Sequence, residues 1–351
     1  MIDELIQVAR DMGCSDLHFA CGEPPIVRLR GDLLRLENYA PLTAQQIAET
    51  AEEMLQKSGL AGRNPKEDAD FSYETPAKER QRVNVFHQRG VTGIAVRLLQ
   101  SQIPTVEDLN LPPIFTDIAK KPRGLVLVTG PTGSGKSTTL AAMIDAINAT
   151  RHCHILTLED PVEYVHANKQ SMVNQREIGK DVSGFSPALR SALREDPDVI
   201  LVGEMRDLET IGAAITAAET GHLVLSTLHT IGAGKTVDRI IDVFPPHQQQ
   251  QVRTQLATVL KAVITQTLIP RADGRGRVPA FEIMLVSDAI SNMIREGKTF
   301  QIDSVLQTNA KAGMIGLDRY LANLTKDGTI TMDAALDRAN NKEELKRYVQ
   351  F

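Results

Sequence analysis

The sequence predicts an α/β protein in two parts, a parallel-sheet domain preceded by a small α+β domain. Two patterns carry this. From Gly124 onward, short β-branched runs, "LVLVTG", "HILTLED", "DVILVGE" and "HLVLSTLH", alternate with helical segments. Such near-continuous apolar runs are strands buried on both faces, and their alternation with helices implies a parallel sheet. Before that point the chain instead shows the period-two alternation of half-buried strands, interrupted by helical spacing.

The elements follow in order. "IDELIQVARDM" has helical spacing; "SDLHFAC" and "IVRLRGDLLRL" alternate, with Gly31-Asp32 as the expected hairpin turn. "LTAQQIAETAEEML" is helical, with Thr43 as N-cap. "RQRVNVFHQRGVTGIAVRLL" reads as a second hairpin turning near Gly90. Pro104, Pro112, Pro113 and Pro122 punctuate the next stretch, so residues 1–103 are expected to form the first domain, 104–123 a linker and 124–351 the second. The tail from about Val286 is helical: "AISNMIRE", "GLDRYLANLTKDG", "TMDAALDRANNKEELKRYV".

Bulk properties exclude several classes. With 351 residues the chain can build two cores. Lys and Arg number 39 against 44 Asp and Glu, a formal charge of −5, and there is no Trp. An acidic balance with 4% aromatics argues against nucleic-acid binding, which uses a basic face and stacking platforms. The start lacks the basic and apolar regions of a signal peptide, and no apolar run is long enough to span a bilayer. Cys14, Cys21 and Cys153 are unclustered, so they form neither a disulfide framework nor a metal set, which fits a cytoplasmic protein.

Chemistry concentrates in four stretches. In "LVLVTGPTGSGKSTTL", Gly130, Gly135, Lys136 and Ser137 fill the P-loop pattern. The loop Gly130, Pro131, Thr132, Gly133, Ser134, Gly135 turns backbone N–H groups inward around a phosphate, and Lys136, Ser137 and Thr138 open a helix whose positive end faces it. Lys136 can neutralise the β- and γ-phosphates, and Ser137 can place its hydroxyl on Mg²⁺. From average glycine usage, a chance match in a chain of this size has odds of about one in a hundred. The motif therefore implies ATP with Mg²⁺.

"LTLEDPVEY" places Glu159, Asp160 and Glu163 at the C-terminal end of a strand, where a carboxylate could orient or deprotonate a water; read alone, it is better taken as an acidic loop. "DVILVGEMRD" is a Walker-B-like strand ending at Glu204, whose carboxylate would hold Mg²⁺ through water opposite Ser137. "ETGHLVLSTLHT" has His222 and His229 bracketing one strand. Their separation of seven points them to opposite faces, which argues against one shared metal. One histidine at the strand's C-terminal end could sense the γ-phosphate; read alone, each is more often structural than catalytic.

These four elements, in this order, resemble the secretion-superfamily ATPases. "VNQREIG", "RIIDVFP" and "QTLIPR" are similar to further family segments, so the likeness covers nearly the whole chain and is closest to the type IV pilus retraction branch, which drives twitching motility. The resemblance implies a PAS-like N-terminal domain, a RecA-like ATPase domain and a homohexamer. It implies Glu163 as catalytic carboxylate, Glu204 as the Walker B residue, and His229 and His222 as the histidine-box pair. Arg82 and Arg97 in "RQRVNVF" and "AVRLL" match the arginines that complete the site in the family. It also implies recruitment to the inner face of the membrane by an integral pilus platform protein rather than direct insertion.

Pilus-assembly and type II secretion ATPases are the nearest alternative. They usually carry a four-cysteine zinc motif and a longer N-terminal region, and this chain has no paired cysteines. A non-hydrolysing nucleotide sensor is disfavoured by the retained Glu163, Glu204 and His229. Ser291 in "AISNMIRE" stands where retraction ATPases often carry arginine.

Overall fold

The computed structural model describes residues 1–62, 67–99, 102–308 and 313–350. It resolves into two units: Met1–Gln102 with Pro161–Val165, and Ile103–Asp160 with His166–Phe351.

In the first unit, α1 (Ile2–Asp11) leads into β1 (Asp16–Phe19), β2 (Ile26–Leu29) and β3 (Asp32–Arg35). Then come α2 (Ala44–Lys57), β4 (Ala69–Glu74), β5 (Arg80–Gln88) and β6 (Val91–Leu98). The strands form one antiparallel sheet of order β3-β2-β1-β6-β5-β4. The apolar stripes of α1 (Ile2, Leu5, Ile6) and α2 (Ile47, Ala51, Met54) share a core with the inward residues Leu17, Val83, Ile94 and Val96. A full capping box between Thr43 and Gln46 starts α2. The first hairpin turns at Arg30-Gly31, one residue earlier than expected, and the second at Arg89-Gly90; all four residues have positive φ. That is the pairing a two-residue turn needs to match strand twist.

The second unit opens with α3 (Ile114–Ala119), β7 (Gly124–Thr129), α4 (Lys136–Thr150), β8 (His154–Glu159) and β9 (Met172–Glu177). It continues with α5 (Phe185–Ala192), β10 (Val199–Val202), α6 (Leu208–Glu219), β11 (Leu223–Leu228), α7 (Ala233–Asp242) and α8 (Pro246–Val259). After β12 (Leu260–Pro270) and β13 (Arg277–Leu285) come α9 (Asp288–Arg295), α10 (Ile302–Thr308), α11 (Leu317–Lys326), α12 (Met332–Leu336) and α13 (Lys342–Gln350). The sheet order is β13-β12-β7-β11-β10-β8-β9, parallel except for the β12–β13 pair.

Burial on both faces is literal. Leu125 and Leu127 of β7 enter the core built with α5 to α9, while Val126 and Val128 enter the core built with α3 and α4. Successive strand residues point to opposite faces, so each run must be apolar throughout. A smaller core joins Ile269 and Ala280 to α11, α12 and α13.

The expected linker 104–123 is corrected here. Val106, Leu111, Phe115 and Ile118 are buried in the α3–α4 core, so the stretch belongs to the second unit. Its prolines bound α3 rather than marking a free connection; Pro113 is the N-cap of that helix. Among the described residues no helix is long and apolar enough to cross a membrane.

Candidate functional site

The site forms at the C-terminal ends of the parallel strands, where open α/β sheets bind ligands. β7 stops at Thr129, and the loop 130–135 leads straight into α4 at Lys136. Gly130 (φ 138°) and Gly135 (φ 89°) both occupy backbone conformations that L side chains rarely adopt. Lys136 is buried, and its Nζ donates to the carbonyls of Gly130 (2.8 Å) and Pro131 (3.0 Å). The buried hydroxyl of Ser134 finds no hydrogen-bond partner among the described residues. A loop that buries an unsatisfied donor beside an ammonium suits an anion such as a phosphate. Ser137, on the first turn of α4, is exposed.

Two neighbouring strands bring the next residues in. Gly130 N–H donates to the Leu228 carbonyl at the end of β11 (3.3 Å), which sets His229 beside the loop. The Ser226 and Thr227 hydroxyls donate to the carbonyls of Val202 and Gly203 (2.7 and 2.6 Å), pinning the end of β10 to β11. Gly203 is held on its other side by its N–H bond to the Leu158 carbonyl (2.8 Å). Glu204 therefore leaves β10 with its backbone fixed on both sides.

The result is a polar line across three adjacent strand ends. His229 Nε2 lies 3.0 Å from Glu204 Oε1, and Thr132 Oγ1 lies 3.5 Å from His229 Nδ1. Nε2 must carry the proton to donate to a carboxylate, so in the neutral ring Nδ1 presents its lone pair to the Thr132 hydroxyl. Arg206 also pairs with Glu204 Oε1. Burial pushes the Glu204 carboxyl up, but the Arg206 hydrogen bond and the charges of His229 and Arg206 outweigh it and hold it below the ordinary carboxylate value. Glu204 is thus a fixed anion. The exposed Ser137 hydroxyl and the ionised Glu204 are the oxygen donors a hard cation prefers.

Glu159 closes β8, where its carboxylate accepts from Thr157 Oγ1 (2.7 Å) and Gln175 Nε2 (3.1 Å), a structural role. Glu163 is half-buried in the segment Pro161–Val165, which belongs to the first unit. Arg82 and Arg97 also belong to that unit and face each other in register on β5 and β6. Each holds a carboxylate: Arg82 pairs with Asp70 (2.6 Å) and Arg97 with Asp16 (3.0 Å).

His222 lies apart from that line. It precedes β11, at the opposite end of the strand from His229 and about 20 Å away at the usual rise per residue. Its Nδ1 meets the Ala217 carbonyl at 2.9 Å, closing the end of α6 onto the sheet, and its own carbonyl accepts from Gly124 N–H. Within this chain it does not join the P-loop.

Sequence reasoning did not single out Thr132 as the partner of His229, nor Arg206, nor the buried pair Thr139 and Gln266 on α4 and β12. Arg206 stood inside the quoted "GEMRD" and Gln266 inside "QTLIPR", but neither stretch marks its contacts. Ser291 donates to the Ala257 carbonyl (3.0 Å), fastening α9 to α8.

A nucleotide-type P-loop joined through a threonine to a histidine–carboxylate pair, on a parallel sheet with an antiparallel α+β unit before it, defines a P-loop motor-type ATPase fold. The chain belongs to the Type II/IV secretion system protein family, whose model matches residues 1–316. It is 49% identical over 344 residues to the type IV pilus retraction ATPase PilT of Pseudomonas aeruginosa, covering 98% of this chain and 99% of that one. It is 50% identical over 321 residues to the twitching motility protein of Neisseria gonorrhoeae, covering 92% and 86%. The crystal structure of the pilus retraction motor PilT with bound ADP superposes with a TM-score of 0.89 at 46% identity, over 99% of both chains.

Proposed function

We propose that this chain is an ATP-hydrolysing motor that powers type IV pilus retraction. The observation that carries the hydrolytic part is the line Thr132–His229–Glu204 beside the P-loop. The end-to-end likeness to a retraction ATPase supports the direction of coupling.

The roles follow from chemistry. The loop N–H groups and Lys136 hold the β- and γ-phosphates. Ser137 and Glu204 are the residues that would hold Mg²⁺, which would supply positive charge to offset that of the phosphates. His229, hydrogen-bonded to both Thr132 and Glu204, transmits the γ-phosphate's presence from the loop to the carboxylate. Glu163 orients and deprotonates the attacking water. Arg82 and Arg97 leave Asp70 and Asp16 to stabilise charge developing on the transferred phosphoryl group. Nucleotide binding and product release are converted into motion, in a homohexamer recruited by an integral platform protein at the pilus base.

Hydrolysis by the purified chain tests this. Lys136→Ala is expected to abolish ATP and ADP binding, and Glu163→Gln to bind ATP but lose about 10²- to 10⁴-fold in turnover. Near-normal hydrolysis by Glu163→Gln would remove the role given to that carboxylate. Surface motility retained by a strain carrying Lys136→Ala would remove the motor assignment.

A further inference from the structure

We propose that Gln266 is a positioning residue for nucleotide binding, a strut that holds the P-loop at both ends. The proposal deepens the P-loop reading above and rests on it.

Three contacts of one buried side chain and its backbone carry the argument. β12 runs parallel to β7 in register as far as Thr265 opposite Thr129. There β7 ends and the loop begins, while β12 runs on to Pro270, with Gln266 its first residue past that point. The Gln266 carbonyl oxygen fills the space beneath Gly130: a Cβ on Gly130 would stand 2.2 Å from it. The Gln266 side chain runs along the loop until Nε2 lies against Gly135, where a Cβ would stand 2.9 Å away. Its Oε1 accepts a 2.8 Å hydrogen bond from Thr139 Oγ1, on the first turn of α4. Gln266 and Thr139 are both buried, at 3% and 1% exposure.

One residue therefore touches both glycines that bound the loop and the helix that follows it. A glycine-rich loop loses much backbone freedom when it is fixed in a phosphate-binding shape. A strut that removes this freedom beforehand lowers the cost of binding. The neighbouring Thr129–Thr265 hydroxyl pair (3.0 Å) ties β7 to β12 one step earlier, so the strut stands on a fixed base. Gln266 touches no reacting atom in this account; it acts through the loop.

The test is titration of full-length variants with ADP, alongside steady-state ATP hydrolysis and unliganded melting. Gln266→Met keeps the bulk and removes the amide; Thr139→Val removes the donor. Each is expected to weaken ADP by about tenfold, the worth of one buried hydrogen bond, and the double variant to weaken it no further. Thr139→Ser restores affinity to within about twofold, and kcat at saturating ATP changes by less than about twofold in all of them, because only binding is affected. Unchanged ADP affinity in Gln266→Met, or a loss that merely tracks a lower unliganded melting temperature, overturns the proposal. Unchanged affinity in Lys136→Ala overturns instead the underlying placement of nucleotide at this loop.

Discussion

The P-loop glycines Gly130 and Gly133 lie three residues apart in one loop but in different surroundings, and alanine should separate them. At Gly130 the new methyl would lie 2.2 Å from the Gln266 carbonyl oxygen, against an ordinary contact of 3.4–4 Å, and φ is 138°. Both backbones in that clash are held: Gln266 pairs with Phe281 of β13, and Gly130 N–H donates to the Leu228 carbonyl. The forced φ costs about 1–3 kcal/mol and the overpacking about 1–3 more, so about 4 kcal/mol is expected. At Gly133 φ is 77°, but a methyl would meet nothing within 4 Å. Only backbone strain remains there, about 1 kcal/mol. For a unit of this size one kcal/mol moves the melting temperature by about 2–4 °C. Calorimetry without nucleotide, at one protein concentration, should show Gly130→Ala lowered by about 10 °C and Gly133→Ala by about 3 °C. Equal shifts, or a larger one at Gly133, would refute the argument that Gln266 packs beneath Gly130.

Other perturbations have equally definite signs. His166 is buried with Nδ1 4.0 Å from Asp145 Oδ1, and burial, opposed by Asp145 and reinforced by Lys169, drives its pKa from 6.5 to about 4. A depressed histidine pKa gives stability that is complete above pH 6.5 and lost as pH falls toward 4, about 3 kcal/mol in all; denaturant titrations should show that loss in the parent and a flatter profile in His166→Gln. Asp207 caps α6 through Thr210 N–H (2.8 Å) and Thr210 Oγ1 (2.8 Å), so Asp207→Ala should cost about 1–2 kcal/mol by chemical denaturation, and Asp207→Asn much less. His222→Asn should leave ATP turnover within about twofold of the parent, because His222 closes α6 and not the site, whereas His229→Ala should lower it by at least about tenfold, as the loss of a charge-assisted hydrogen bond would.

What was legible in the sequence was what is local. Strands β7, β8, β10 and β11 announce themselves because both faces are buried, so their side chains are apolar without alternation. β9, "MVNQRE", is an edge strand with one neighbour and polar side chains, and nothing in its composition marks it. The prolines around 104–123 read as a boundary, yet Phe115 and Ile118 at helical spacing were already core residues. The P-loop was legible for the same reason as the strands, since its glycines, lysine and serine act within a few residues of one another. The His229–Glu204 pair could only be half seen: each ends its own strand, and their meeting depends on β11 lying beside β10. The bracketing of one strand by His222 and His229 already put them at opposite ends; what the sequence did not show is that His222 closes α6 through the Ala217 carbonyl. Gln266 and Thr139 are 127 residues apart and meet through sheet order alone.

The most direct test of the account is a count of surface pili in the source organism after chromosomal Glu204→Ala. If ATP hydrolysis here drives retraction, pili should accumulate while surface motility is lost. Fewer pili would contradict the account and make the chain an assembly motor, and an unchanged number with normal motility would separate its ATPase site from pili altogether.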